Sequence, residues 1–477
     1  MRSLFWFRQD LRLADNPGLV AAAADGAVLP VYILDDENAG EHKMGAASRV
    51  WLHHALDSLN RALDGKLVIL SGRAEEILPE LMAAGDMTSI HWNRCYEPWR
   101  MARDSKIKAA LRDRGVKAHS HAASLLWEPM EIAKPDGTPY KVFTPFYRRG
   151  CLAAQPPRRP LPAPHITLAN APPGWQSGRL DKLGLLPHTG WDGPMIGHWQ
   201  VGEDGATAAL QKFISKGLVN YKEGRNFPGR PFVSRLSPHL HFGSLSPHQA
   251  WHAARDSSPA ANPFDDKNCD HFCSELGWRE FSYHLLTHFP QLPTRPLQPR
   301  FDAFDWREDS TALQAWTSGQ TGYPIVDAGM RELYSTGYMH NRVRMIVGSF
   351  LVKNLRLHWH LGEAWFWDTL VDADLANNAA SWQWIAGCGA DAAPYFRIFN
   401  PVMQGQKFDP EGVYTRYWVP ELAELPQQFL FNPWEAPELV LQEAGVRLDR
   451  TYPAPIVPMK ASRDAALEAF AALPKAS

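Results

Sequence analysis

The first 125 residues alternate two kinds of hydrophobic pattern. Short apolar runs rich in β-branched and aromatic residues stand at 3–8 (SLFWFR), 28–34 (VLPVYIL), 66–70 (KLVIL), 89–93 (SIHWN) and 116–122 (VKAHSHA). Between them lie longer stretches with helical spacing, such as SRVWLHHALDSLNRAL, EEILPELMAAG and ARDSKIKAALRDRG. Asn16-Pro17 reads as a helix cap followed by proline at the first helical position, opening a helix through AAAADGA. Strand–helix repetition of this kind predicts an open, parallel, five-stranded, Rossmann-like α/β sheet with helices on both faces. The first connection, RQDLRLADNP, lacks G-x-G-x-x-G, which argues against dinucleotide binding in the usual way. Ligands of such sheets sit at the edge where the strands end.

The alternation stops near residue 126. Residues 153–195 are rich in Pro and Gly and read as a long surface connection. Beyond about 196 the chain reads as helical. Ser246-Pro247 is a cap followed by a first turn, and 327–355 keep helical spacing with a break at Gly337. The expected division is an α/β domain at 1–128, a linker at 129–198 and an all-α domain at 199–477.

Composition narrows the class. No apolar run approaches a membrane span, and the N-terminus is too polar for a secretory signal, so a cytoplasmic protein is expected. The five cysteines are odd in number and scattered, which argues against a disulfide framework. Cys269 and Cys273 are too few thiols for a zinc or iron–sulfur site, so no metal is expected. With a net charge of −2, any nucleic acid must be met by a local basic patch. Most of the 19 tryptophans belong to the core; a minority suit redox transfer, because indole is easily oxidised.

Four stretches of the helical half carry chemistry. Val233-Ser234-Arg235-Leu236-Ser237 sets two hydroxyls and a guanidinium in a short turn able to hold phosphate. On a helix, Glu275, Trp278 and Arg279 share a face, an arrangement that suits either a base pocket or a surface ion pair beside a core Trp. Asn341 and Met345 share another face, with Arg342 and Arg344 directed elsewhere, which suits a flat, partly polar ligand. Asp374, Asn378 and Trp382 are four apart and are expected on one helical face, two residues beyond Asp372.

FWFRQDLRL, SRLSP, ELGWREF, TGYPIVDAGMRELYSTGYMHNRVRM, DADLANNAASWQW and RIFNPVMQGQKFDPEGVY together resemble the signature runs of the photolyase and cryptochrome family. The resemblance extends from Phe5 to about Met459. It implies an α/β domain, a connecting loop and a helical domain that buries a U-shaped FAD. Carried over, Ser234, Arg235, Leu236 and Ser237 hold its phosphates, and Tyr221, Val233, Phe272, Glu275 and Arg279 add contacts. Asp372, Asp374 and Asn378 lie against the isoalloxazine, with Arg344 paired to Asp372. The family reaction implied is light-driven electron transfer to a cyclobutane pyrimidine dimer flipped out of DNA. Glu275 would steady the dimer, with Asn341, Met345 and Asn378 completing the catalytic set. Trp278 and Trp384 would pack on the bases, and Arg342 and Gln404 would touch DNA. Trp306, Trp359 and Trp382 match the family's electron relay.

Within the family, six-four photolyases carry two histidines where this chain has Asn341 and Met345, and plant cryptochromes carry Asp at Asn378. Both points favour cyclobutane dimer repair; a bacterial monomer that works on DNA in the nucleoid is expected. A cryptochrome-type photoreceptor without repair activity is the alternative. Phe272 in place of a Trp, with WFWDTLVDADL and FNPWEAPELVLQEAGV, resembles the class III branch. The usual folate contacts are absent at Trp99 and Arg100. An antenna, methenyltetrahydrofolate or alternatively a deazaflavin, is expected near Asp35, Glu37 and Trp99.

Overall fold

The computed structural model describes residues 2–475 apart from 176–179, 261, 263 and 393–396. Among these, five strands form one sheet: β1 (Arg2–Phe7), β2 (Ala27–Leu34), β3 (Val68–Ser71), β4 (Ser89–Asn93) and β5 (Lys117–His121). All pairs are parallel, in the order β3-β2-β1-β4-β5. The predicted α/β class holds, and the residues after the sheet are mostly helical.

Period-two alternation in β1 builds both faces. Phe5 and Phe7 join Leu19, Val50, Trp51, Leu56 and Phe242 in one apolar cluster. Leu4 and Trp6 join Leu78, Leu81, Ile90 and Trp92 in the other. A strand buried on both sides reads as continuously apolar, which is why SLFWFR lacks a polar face. The Asn16 side chain accepts from the Leu19 N–H at 3.1 Å, with Pro17 opening the helix Pro17–Asp25 as the sequence indicates. Gly18 is forced: a Cβ there would lie 2.7 Å from the Phe5 ring and 2.8 Å from Asn93 Oδ1.

The strand order reverses between β1 and β4, the point where open α/β sheets hold ligands. Here it is filled by a buried polar network. Asn93 Nδ2 donates to Asp10 Oδ2 at 2.6 Å and to Asn16 Oδ1 at 2.7 Å. The segment after the sheet is not bare loop. Phe143–Ala153 is helical, and Val28 exchanges backbone hydrogen bonds with Thr167 and Ala169.

By contacts the chain divides into two units interleaved in sequence. The first comprises Met1–Val219, Ser234–Pro290 and Val371–Asn377; the second comprises Asn220–Val233, Gln291–Leu370 and Asn378–Ser477. In the first, Ser246 and Gln249 form a capping box that opens Pro247–Asp256. In the second, Gly337 at φ +66° ends the helix Pro324–Thr336 in the left-handed conformation that glycine adopts without strain. The next helix, Asn341–Ser349, starts on a His340 cap. No helix among the described residues is long and apolar enough to cross a membrane.

Candidate functional site

In the first unit the proposed phosphate turn has special backbone geometry. Arg235 takes φ +52°, a conformation uncommon for a side-chain-bearing residue. Its guanidinium lies over the Trp199 ring at 4.3 Å, and Ser234 Oγ accepts from the Leu236 N–H at 3.4 Å. Ser237 is exposed at the start of the short helix Ser237–His241. Two hydroxyls, a guanidinium and a tight turn form a donor set suited to a diphosphate.

The helix Lys267–His288 carries Phe272, Glu275, Trp278 and Arg279. Phe272 is buried, its ring 4.7 Å from Phe213. Trp278 stacks on Phe143 at 3.8 Å with 10° between planes, which leaves a rigid, half-buried indole. Glu275 and Arg279 do not form the i,i+4 ion pair open to them. Arg279 donates to the Ser124 carbonyl at 2.7 Å, whereas Glu275 Oε1 lies 3.7 Å from His271 Nε2.

Asp372 and Asp374 are both buried. Asp374 receives hydrogen bonds from the Tyr283 hydroxyl and from Asn377 N and Nδ2, the latter at 2.8 Å. His241 Nδ1 lies 3.4 Å away. Burial alone would raise this carboxyl, but the His241 and Tyr283 hydrogen bonds and the nearby Arg279 charge bring it down to about 2. Asp374 is thus the cap of the helix Leu375–Ala386, bonded to Asn377 N at 2.9 Å, and not a member of a helical face with Asn378 and Trp382. A short acidic residue before a helix satisfies orphan amides better than it propagates the helix. Tyr283 and His241, distant in sequence, carry no motif that links them to Asp374; the one local signal is a Tyr four residues beyond Arg279.

In the second unit, Asn378 Nδ2 donates to the Glu363 carbonyl at 3.0 Å. That fixes the amide and leaves its oxygen able to accept a hydrogen bond. Burial pushes the Glu363 carboxyl up to about 8; no motif in the sequence marks it. Tyr221 is buried with Arg225 over its ring at 5.4 Å, and Val233 is half-buried.

Asn341 is exposed at the start of its helix and Met345 is half-buried. Arg342, expected to point elsewhere, instead folds back toward Met345. Its guanidinium lies 3.6 Å from Met345 Sδ, 2.5 Å from Asn226 Oδ1 and 4.4 Å above the Phe408 ring. A long side chain spans i,i+3 readily, and the aromatic face rewards it. Arg344 Nε donates to the Met339 carbonyl at 2.7 Å. Trp384 and Gln404 are half-buried.

Trp382 and Trp359 are both buried, whereas Trp306 is half-buried. The Trp382 ring meets Phe366 at 5.0 Å and Trp316 at 6.3 Å. It rests on Gly362, where a Cβ would stand 2.1 Å from its Cη2.

At the carboxyl edge of the sheet, in the first unit, a solvent-open cleft with about 520 Å³ of empty space is lined by Arg8, Tyr32, Asp35, Trp99, Arg100 and Arg103, among others. Asp35 and Trp99 therefore meet there, while Glu37 is not among the lining residues. The Asp35 carboxylate is already engaged by Arg103 NH1 at 3.1 Å and by Asn38, so it shapes the cleft more than it offers a ligand contact. Trp99 carries the Arg100 and Arg103 guanidiniums at 4.8 and 5.0 Å.

Residues 3–165 match the family described as DNA photolyase, and residues 272–472 match the FAD binding domain of DNA photolyase. The chain is 47% identical to the deoxyribodipyrimidine photo-lyase of Agrobacterium fabrum, over 99% of this chain and 98% of that protein. It is 36% identical to cryptochrome-1 of Arabidopsis thaliana, over 95% of this chain but 68% of that protein. Among solved structures, a bacterial class III photolyase from Agrobacterium tumefaciens superposes with a TM-score of 0.93 at 46% identity, covering 99% of this chain and 97% of that one.

Proposed function

Because the chain belongs to the DNA photolyase family, we propose that it is a light-dependent enzyme of class III type that splits cyclobutane pyrimidine dimers in DNA. The observation that carries this reading is the end-to-end match, at 47% identity, to a relative named deoxyribodipyrimidine photo-lyase. When bound, FAD would supply the light-driven one-electron chemistry that opening a cyclobutane ring needs.

The chain's residues bind, orient and screen. Ser234, Arg235 and Ser237 hold the diphosphate, with Val233, Leu236, Tyr221 and Phe272 as apolar walls. Asp372, Asp374, Arg279 and Arg344 fix the charge around the ring system, and Asn378 offers its amide oxygen at the flavin edge. Glu275 hydrogen-bonds the carbonyl of the flipped dimer, Trp278 and Trp384 pack on its bases, and Asn341 and Met345 line the pocket. The preformed Trp278–Phe143 stack supports this role, because a rigid aromatic floor costs no ordering on binding. Arg342 and Gln404 contact the DNA. Trp382, Trp359 and Trp306 would carry an electron from the surface toward the flavin site.

The cleft at the sheet edge is the proposed antenna site. Three guanidiniums beside Trp6 and Trp99 suit a conjugated ligand with a carboxylate tail, as in methenyltetrahydrofolate; a deazaflavin is the second candidate. The functional division at 1–128, 129–198 and 199–477, action as a monomer and work on nucleoid DNA in the cytoplasm belong to the same reading.

The deciding assay mixes purified, photoreduced protein with an oligonucleotide carrying one thymine dimer. Blue light, and not darkness, restores the two thymines if the enzyme reading holds. No repair by fully reduced protein overturns it in favour of a photoreceptor.

A further inference from the structure

Trp359 stands in the sequence His358-Trp359-His360, and both imidazoles touch it. The His358 ring lies 5.7 Å from Trp359, nearly parallel at 27°, and 5.1 Å from Trp306 in an edge-on contact. It therefore stands in ring contact with both indoles. His360 packs on Trp359 at 3.7 Å, and its Nε2 is paired with the Pro293 carbonyl at 3.1 Å.

Backbone pairing holds this arrangement. Arg307 N donates to the Arg356 carbonyl at 2.8 Å, and residues 307 and 357 form a parallel bridge. That register sets Trp306 beside His358. His358 also caps the helix Trp359–Thr369: its Nδ1 accepts from the His360 N–H at 3.2 Å, which fixes the ring's orientation.

We propose that His358 is a positioning residue of the outer relay step, its ring fixing and bridging the contact through which Trp306 reduces oxidised Trp359. The inference rests on the relay reading above. The electron accounting is closed. Photoexcited oxidised flavin takes one electron from the relay, Trp306 gives one to oxidised Trp359, and oxidised Trp306 loses its indole proton to solvent. A thiol reductant in the medium later returns the electron and a proton. His358 is neither oxidised nor reduced. Burial and the neighbouring His360 hold its imidazole down to about 4, so it is uncharged near neutral pH and sets no fixed positive charge against the passing hole.

The test uses the flavin-loaded full chain. His358→Phe and His358→Leu lose the cap equally and differ in the ring; His358→Asn keeps a capping oxygen and loses the ring. Flash spectroscopy reads the yield of oxidised Trp306, and near-ultraviolet circular dichroism reads the indole environment without any photochemistry. Flavin content and melting temperature report folding, and Trp359→Phe tests the relay itself. Expected is a yield about tenfold lower in H358L and H358N than in H358F, which stays near wild type. Equal yields in H358F and H358L, with Trp359→Phe inactive in flavin photoreduction, overturn the role of His358 and leave the relay standing. Undiminished photoreduction in Trp359→Phe overturns the relay reading, and the inference with it. If H358N does not fold, the H358F and H358L pair still decides.

Discussion

The Tyr283 hydroxyl donates to the buried Asp374 carboxylate across 91 positions of sequence. Burial opposes the charge, but the His241 and Tyr283 hydrogen bonds and Arg279 outweigh it and hold the group at about 2, against an ordinary 3.8. A depressed carboxyl stabilises the fold above its unfolded value, and the contribution is lost as pH falls through the folded one. Asp374→Asn is expected to cost about 2 kcal/mol at pH 7 and much less near pH 2. Urea unfolding at the two pH values checks it.

Glu280 behaves in the opposite sense. Its carboxylate accepts from the Leu126 and Trp127 N–H groups at 2.9 and 3.3 Å, yet burial pushes it up to about 7 from 4.5. An acid raised on folding is hardest to charge in the native state, so stability declines as pH climbs from 4.5 to 7 and stays lower beyond. Glu280→Gln removes a charging penalty of at most about 3 kcal/mol while keeping an acceptor oxygen. A higher melting temperature at pH 8, with no gain at pH 4, is the expected outcome; a loss at pH 8 counts against it.

Gly362→Ala would drive a methyl into the Trp382 ring, which lies within 2.1 Å of the added carbon. The indole must move or the helix Trp359–Thr369 must shift. Overpacking of this kind costs about 1–3 kcal/mol. Calorimetry reads the stability, and slower flavin photoreduction reads the displaced indole.

Arg342→Ala removes the contacts to Asn226, Met345 and Phe408. Under the repair reading, affinity for dimer-bearing DNA falls about tenfold and the salt slope of binding shrinks by about one. Titrations at several salt concentrations measure both. An unchanged affinity would remove Arg342 from the DNA contacts.

Local signals carried much of this structure. The strands around SLFWFR and SIHWN, the Asn16-Pro17 helix start and the break at Gly337 follow from periodicity, capping and backbone freedom within a few residues. Side-chain partners did not follow. Helical phase alone directs Arg342 away from Met345, whereas its reach and the Phe408 ring bring it back. The Asp374 cap is local, but its Tyr283 and His241 partners come from segments brought together only by folding. Glu363 carries no motif; its raised carboxyl follows from burial.

The interleaving of the two units bears on how the protein is made. Val371 belongs to the apolar cluster on one face of the sheet, and Asp374 completes the hydrogen bonds of Tyr283 and His241. Both lie in Val371–Asn377, far along the chain from the sheet and the helices they complete. A nascent chain that has emerged only to residue 290 already holds every strand of the sheet and still lacks one of its core side chains and a buried anion. During synthesis the N-terminal unit therefore waits, incompletely closed, until some eighty further residues have left the ribosome. It matures with the chain as a whole, where a simple N-terminal domain would finish first.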